Sequence, residues 1–171
     1  TIRWGLLFLI AVLPFVVTPF TVYPFIFGKL IFFQIVVEFL LALYIPLAIL
    51  IPRYRPRWDR LTAILLGFTI VLFAAAIFGV DFTKSFWGTE ERATGLLAWF
   101  HWFAFFVLLR AVVRGEKDAR LLLWTAVISG IGLSLVALLR LVGVKLFGVE
   151  LGFRLSGTIA NPAFFAAMLI F

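Results

Sequence analysis

The residues best suited to bind an anion stand in short polar connections between long apolar runs. Asn161 precedes Pro162 at the start of such a run, and asparagine before proline predicts a helix N-terminus, with Asn161 as the cap. A helix N-terminus carries partial positive charge. With Arg154 a few residues upstream, this end predicts a site for an anion such as phosphate. The alternative is a helix cap without a ligand.

A second candidate anion site lies in the polar segment 81–95, which reads DFTKSFWGTEERATG. Asp81 predicts the cap of a short helical turn that Gly88 ends, and Thr89 predicts the cap of the next helix. These roles leave Lys84 and Arg92 unexplained, and both could bind an anionic substrate. The alternative is a capped return into the apolar phase, with Phe and Trp side chains as an interfacial anchor.

Two titratable residues, Glu38 and His101, lie inside apolar runs. A carboxylate at bilayer depth is costly unless it is partnered or wetted, and Glu38 lies roughly 13 Å along a helix from Lys29. Because Gln34 shares its face, we expect that face to line a polar cavity, or Glu38 to be held by a neighbouring helix. His101 is typical of a buried hydrogen-bonding residue, and a catalytic role is the alternative.

The composition excludes several classes of protein. Of the 171 residues, 65% are apolar and 13% charged, against about 45–50% and about 25% in soluble domains. A soluble globule and a disordered chain are therefore both excluded. The absence of cysteine and the single histidine exclude disulfides, thiolate metal sites and multi-histidine metal centres. We found no nucleotide-binding glycine loop and no basic, aromatic-rich soluble face, so we predict no metal, no cofactor and no nucleic-acid partner.

The apolar runs predict an all-α, polytopic transmembrane helix bundle with five complete spans and the start of a sixth. Each complete run approaches the roughly 20 residues that a hydrocarbon core about 30 Å thick requires. The whole chain, 1–171, is predicted to be a single transmembrane domain and the N-terminal fragment of a longer membrane protein. The predicted spans are Trp4–Thr18, Leu30–Ile51, Leu61–Val80, Leu96–Val113, Leu121–Val142 and a last one that opens at Pro162.

Charge asymmetry predicts the orientation of these spans. Arg3 and the segments 51–60 and 110–120 hold nine basic and three acidic residues, a net charge of +6. The segments 19–29, 81–95 and 143–162, together with Arg140 at the end of the fifth run, hold six basic and four acidic residues, a net charge of +2. Positively charged loops stay in the cytoplasm, so the N-terminus is predicted to be cytoplasmic and the second set of segments to face outward. Basic residues on the outward side run against this rule and are the better functional candidates.

Three segments, in order and spacing, resemble the O-antigen ligase-like membrane proteins of bacteria. They are PFIFGK at 24–29 leading to Val37 and Glu38, FGVDFTKSFWG at 78–88 followed by Glu91, Arg92, Gly95 and His101, and Arg154 followed by GT at 157–158 and NPA at 161–163. The chain departs from the family at Ala93, where methionine is common, and at Ala160, where glycine is common. Neither departure removes a charged group.

The resemblance implies a metal-independent glycosyltransferase of the bacterial inner membrane. Such enzymes move a glycan from undecaprenyl pyrophosphate to the lipid A core, another glycan or a protein, at a periplasmic site. The resemblance makes Lys29, Lys84, Arg92, Arg154 and Asn161 candidates for binding the substrate. Glu38 and His101 become candidates for lining the cavity, and the main catalytic groups are expected beyond Phe171.

Three other functions stay open at this point. A peptidoglycan glycosyltransferase of the shape and division group uses a similar helical fold and the same carrier lipid. A transporter or flippase of lipid-linked sugars would need charged residues at mid-depth in several helices and an internal repeat of the spans. A non-catalytic membrane scaffold would not need the outward arginines.

Overall fold

Every regular element that the structure, a computed structural model, describes is helical. It describes residues 2–21, 23–56, 58–89, 92–142, 158–159 and 161–170, without the side chain of Phe164. The prediction of an all-α chain is confirmed for these ranges. The helices are α1 (Ile2–Val12), α2 (Phe27–Leu50), α3 (Arg60–Ile77), α4 (Phe82–Trp87), α5 (Leu96–Val112), α6 (Glu116–Leu141) and α7 (Pro162–Leu169), with 3₁₀ turns at Leu13–Phe15 and Pro52–Tyr54.

Three of these helices, α2, α3 and α6, are long and apolar enough to cross a membrane. This suggests a membrane protein. The apolar stretch Ile2–Phe15 and helix α5 are shorter. The predicted total of five complete spans and a sixth begun therefore remains a prediction.

Helices α1, α2 and α5 enclose the main apolar core. Its fully buried members are Leu6 and Leu9 of α1, Val37 of α2 and Leu108 of α5. Helices α1 and α2 approach closely at Gly5, where a Cβ would lie 2.4 Å from a methyl carbon of Leu40. Because lipid is as apolar as leucine, close packing of this kind is what distinguishes helix–helix contact from helix–lipid contact in a bilayer.

Helices α3, α6 and α7 are added to this core from two sides. Helix α3 packs on α5, where the Trp99 indole donates a hydrogen bond to the Thr69 hydroxyl at 2.9 Å. Helix α6 packs on α1, where the Ser129 hydroxyl donates to the Ala11 carbonyl at 3.1 Å. A smaller apolar cluster joins α6 to α7 through Leu133 and Phe165.

One end of the bundle, here called the basic end, gathers the start of α1 and the α2–α3 and α5–α6 connections. The Arg3 guanidinium lies 3.3 Å from the Asp118 carboxylate. Arg110 pairs with Asp59, the N-cap residue of α3. These contacts bring together the three segments that the charge count places on one side. The α3–α5 connection and the segments before α2 and α7 lie at the opposite end.

The connection between α3 and α5 begins as predicted and ends differently. Asp81 caps α4 by accepting the Lys84 N–H at 2.9 Å, and Gly88 ends this helix with φ of 82°. The prediction that Thr89 caps the next helix is wrong, because α5 begins at Leu96 after Gly95. Ala93 has φ of 48°, outside the range of a right-handed helix, so no helix can run through this position.

The close contact of Gly88 with Gly95 predicts a large effect of a single methyl group. A Cβ at Gly95 would lie 2.3 Å from the Phe86 carbonyl oxygen and 2.4 Å from the Gly88 nitrogen. Since both atoms belong to the backbone, we expect Gly95→Ala to destabilise the protein by about 1–3 kcal/mol. Thermal unfolding in detergent measures this change.

Gly67 is the matched control, because a Cβ there would meet nothing within 4 Å. Gly67→Ala should be neutral or stabilise α3 by up to about 1 kcal/mol. Equal effects of the two substitutions would contradict the packing of Gly95 against Gly88.

The cap of α3 predicts a dependence of stability on pH. The Thr62 backbone N–H and hydroxyl donate to the Asp59 carboxylate, and together with the charge of Arg110 they hold the pKa of Asp59 below its usual range. A carboxylate whose pKa is lower in the folded state adds stability that is lost as the pH falls through that folded value. Asp59→Asn keeps a capping side chain and removes the charge.

We therefore expect wild type to melt a few degrees above Asp59→Asn at pH 7. The difference should shrink below about pH 4, where the unfolded chain begins to take up the proton, and it is lost as the pH falls through the lower pKa of the folded carboxylate. Thermal unfolding of both proteins at pH 7 and pH 3 measures it. A difference that is the same at both pH values would show that the charge of Asp59 contributes nothing.

Candidate functional site

The two titratable residues inside apolar runs, Glu38 and His101, form a pair that joins α2 to α5. The His101 Nε2 atom lies 2.9 Å from the Glu38 Oε1 atom, and the His101 Nδ1 atom lies 2.7 Å from the Leu97 carbonyl oxygen. The His101 side chain is 9% exposed and the Glu38 side chain 66% exposed. The imidazole thus lies between helices, whereas the carboxylate lies at the surface of the bundle.

The geometry of the pair requires one proton more than a neutral imidazole and an ionised carboxylate provide. A carbonyl oxygen only accepts, so the His101 Nδ1 atom carries a hydrogen and donates it to Leu97. A neutral imidazole has one N–H, and an ionised carboxylate has none. The contact between Nε2 and Glu38 is therefore a hydrogen bond only if one further proton lies on Nε2 or on the carboxyl group. The pair is then neutral overall, which lowers the cost of placing it at bilayer depth.

Glu38 interrupts an exposed apolar stripe along α2. Its other members are Ile31, Ile35, Ala42 and Ile45, all exposed on the surface of the bundle. The sequence offered a neighbouring helix as one possible partner for Glu38 but did not say which residue it would supply. The structure shows that this residue is His101. The signal was present, because Glu38 is the one acidic residue inside an apolar run and His101 the one histidine. The predicted polar cavity beside Glu38 remains a prediction.

Lys29 is held by the backbone at the end opposite the basic end. Its ammonium donates to the carbonyl oxygens of Val16 and Thr158, each at 2.7 Å. Thr158 is fully buried, and its hydroxyl donates to the Pro14 carbonyl. Lys29 thus joins the start of α2 to the chain that follows α1 and to the chain that precedes α7. An ammonium has three donors, so one remains for another acceptor.

Asn161 lies three residues after Thr158 and caps α7 as predicted. Its side chain accepts the Ala163 N–H at 2.9 Å, and Pro162 takes the first helical position. The structure therefore brings Lys29 to the segment that carries this helix start. Arg154, the predicted companion of Asn161, lies outside the described residues.

Lys84 and Arg92 form a separate group on the α3–α5 connection. Both side chains are exposed, and within the described part of the chain neither makes an ion pair. No hydrogen bond between described residues connects them to Lys29 or Asn161. The substrate-binding candidates thus occupy two places at this end of the bundle.

A cavity of about 320 Å³ opens between α3, α4 and α5, close in sequence to Lys84 and Arg92. Helices α3, α4 and α5 line it with alanine, leucine and tryptophan side chains, and two hydroxyl-bearing residues, Ser85 and Thr94, stand among them. Ser85 follows Lys84 directly, and Thr94 lies two residues after Arg92. This combination suits an apolar chain with a polar group at its end. Sequence reasoning missed the cavity, because its walls come from three helices.

Comparison with family models, with curated proteins and with solved structures gives no match to this chain. Among the described residues, no three His, Cys, Asp or Glu side chains are grouped so that they could hold a metal ion.

The proton count of the Glu38–His101 pair predicts its magnetic-resonance spectrum. The hydrogen bond between the two side chains predicts one protonated site in the pair, either the His101 Nε2 atom or the Glu38 carboxyl group. The single histidine makes the ¹⁵N imidazole signals unique, and a ¹³C carboxyl signal lost in Glu38→Gln identifies Glu38.

Glu38→Gln is also the matched control for this measurement. Its carboxamide can donate to Nε2, so the hydrogen bond persists with a neutral imidazole and without the further proton. An unprotonated Nε2 together with an ionised Glu38 in wild type would contradict the pair.

Proposed function

We propose that this chain is part of an O-antigen ligase-like glycosyltransferase that transfers a glycan from undecaprenyl pyrophosphate to a lipid, glycan or protein acceptor. The observation that carries the proposal is the pairing of exposed cations with an apolar cavity. Lys84 and Arg92 have no carboxylate partner in the described part of the chain, and their sequence neighbours Ser85 and Thr94 line the cavity of about 320 Å³. A lipid-linked pyrophosphate has this division into an anionic head and an apolar chain.

The chemistry of such a transfer explains the need for these cations. Negative charge develops on the pyrophosphate as the bond to the sugar breaks, and positioned cations stabilise that charge. The Arg92 guanidinium can donate two parallel hydrogen bonds to one phosphate, whereas the Lys84 ammonium acts as a point charge. Neither of these two contacts with the phosphate requires a metal ion. The residues that activate the acceptor are expected outside this chain.

The proposal includes a second group of substrate-binding residues, formed by Lys29, Asn161 and Arg154. Lys29 has one ammonium donor left for a phosphate or glycan oxygen, and Asn161 fixes the helix start beside it. Arg154 would add its charge to this group. Glu38 and His101 would line the predicted polar cavity, which is separate from the one between α3, α4 and α5.

Orientation in the inner membrane belongs to the same proposal. The basic end, with its net charge of +6 against +2, would lie in the cytoplasm. Lys84, Arg92 and the cavity would then face the periplasm. A peptidoglycan glycosyltransferase would use the same carrier lipid and the same arrangement of charges.

A transporter of lipid-linked sugars is the second candidate, favoured by the Glu38–His101 pair. The pair places a carboxyl group and an imidazole in contact within an exposed apolar stripe, and such groups occur along the pathways of proton-coupled carriers. The sequence shows no internal repeat, which many transporter folds contain. The enzyme therefore remains the preferred proposal.

Binding of the carrier lipid tests the preferred proposal. We expect the purified chain in detergent to bind undecaprenyl pyrophosphate, and Lys84→Ala with Arg92→Ala to weaken this binding at least tenfold, since two charge-assisted contacts of about 1.5 kcal/mol each are lost. Native mass spectrometry measures the bound fraction.

Arg3→Ala with Arg120→Ala is the matched control, because both arginines already pair with carboxylates at the basic end. The control should bind as wild type does. Equal binding by all three proteins would count against a pyrophosphate site at Lys84 and Arg92.

A further inference from the structure

The carboxylates of the basic end are all taken by arginines. Asp118 lies 3.3 Å from Arg3, and Glu116 lies 2.5 Å from Arg120. Asp59 is paired with Arg110. These are the three acidic residues that the sequence places at this end, so the remaining cations there have no carboxylate left to neutralise them.

The unpaired cations concentrate in the α2–α3 connection. Arg53, Arg55 and Arg60 are exposed, and none of them forms an ion pair within the described part of the chain. Trp58, between them, is 73% exposed. Arg57 lies outside the described residues. Three guanidinium groups and one indole therefore lie within eight residues of sequence, at the point where α3 begins.

Side chains of α2 and of the α5–α6 connection hold the backbone of the α2–α3 connection in place. The Tyr44 hydroxyl donates to the Tyr54 carbonyl oxygen at 2.7 Å. Arg114 donates to the Arg53 carbonyl oxygen, and its guanidinium lies 5.0 Å from the centre of the Tyr54 ring. Helices α2 and α5 therefore hold residues 53 and 54 in place while the Arg53 and Arg55 side chains remain unbonded. A site whose backbone is already ordered loses less entropy when a ligand binds.

We infer that Arg53, Arg55, Trp58 and Arg60 form a binding site for the headgroup of an anionic phospholipid. Guanidinium groups match the geometry of a phosphodiester, which accepts two parallel hydrogen bonds. Tryptophan prefers the headgroup level of a bilayer, and the site lies at the start of α3, a helix long and apolar enough to cross it. The acyl chains would then lie along the apolar exterior of α2 and α3. This site is distinct from the one proposed at Lys84 and Arg92.

The matched experiment compares unpaired with paired arginines. Arg53→Ala with Arg55→Ala and Arg3→Ala with Arg120→Ala each lower the formal net charge of +7 by two. Phosphatidylglycerol and phosphatidylcholine are titrated into the purified chain in detergent, and native mass spectrometry counts the bound lipids. We expect wild type to prefer phosphatidylglycerol, and the Arg53 and Arg55 variant to lose about tenfold in that preference. The Arg3 and Arg120 control should retain it.

A third variant tests the site without changing the residues whose backbone is hydrogen-bonded to Tyr44 and Arg114. Arg60→Ala changes the first turn of α3 and leaves the contacts of Tyr44, Tyr54 and Arg114 intact, so we expect a folded protein with a several-fold weaker preference for phosphatidylglycerol. Arg120→Ala alone is its control. Thermal unfolding establishes that each variant is folded.

Three results would overturn the inference. An equal loss of preference for phosphatidylglycerol in the Arg53 and Arg55 variant and in the Arg3 and Arg120 control would show that only the net charge matters. Equal binding of phosphatidylglycerol and phosphatidylcholine by wild type would show that there is no site for an anionic headgroup. Displacement of the lipid by millimolar inorganic phosphate would assign the arginines to a soluble anion. Each result is separate from undecaprenyl pyrophosphate binding at Lys84 and Arg92, so either proposal can fail alone.

Discussion

A polar group inside an apolar helix bundle is stable only when another group of the protein satisfies it, and the rest of this structure depends on that constraint. Glu38 and His101 satisfy each other, with the His101 Nε2 atom 2.9 Å from the Glu38 Oε1 atom. Their contact requires α2 and α5 to lie side by side in one register, and Val37 and Leu108 are fully buried in the core between the same two helices. Since the pair needs a shared proton, the helix contact is tied to a protonation state.

The same constraint acts at the two ends of the bundle with different partners. Opposite the basic end, backbone carbonyls satisfy the Lys29 ammonium, and this joins three stretches of chain that are far apart in sequence. At the basic end, arginines satisfy the carboxylates of Asp59, Glu116 and Asp118. In both places the contact fixes a connection between helices, so these charges primarily support the fold.

The cations that the fold does not use are therefore the informative ones. Lys84 and Arg92 are exposed, and their sequence neighbours Ser85 and Thr94 line an apolar cavity. Arg53, Arg55 and Arg60 are exposed at the other end, in the same short segment as the exposed Trp58. Both arrangements suit anionic lipids, one through a cavity and one through an interface. The separation of the two groups by the length of the bundle is what allows separate ligands to be proposed for them.

The sequence by itself determined the helical class, the positions of most helix ends and the sorting of charges. Apolar runs and caps are local properties, so α7 begins at Pro162 after Asn161 and α4 begins after Asp81, as expected. The apolar run placed the start of α5 at Leu96, where the helix begins. The predicted cap at Thr89 was wrong, because the chain there depends on a positive φ at Ala93 and on the contact of Gly88 with Gly95. Only the tertiary structure decided that Glu38 meets His101, that Lys29 is bound by carbonyls, and that α3, α4 and α5 enclose a cavity. These contacts join residues from 13 to 129 positions apart, and local pattern contains no information about which distant helix faces meet.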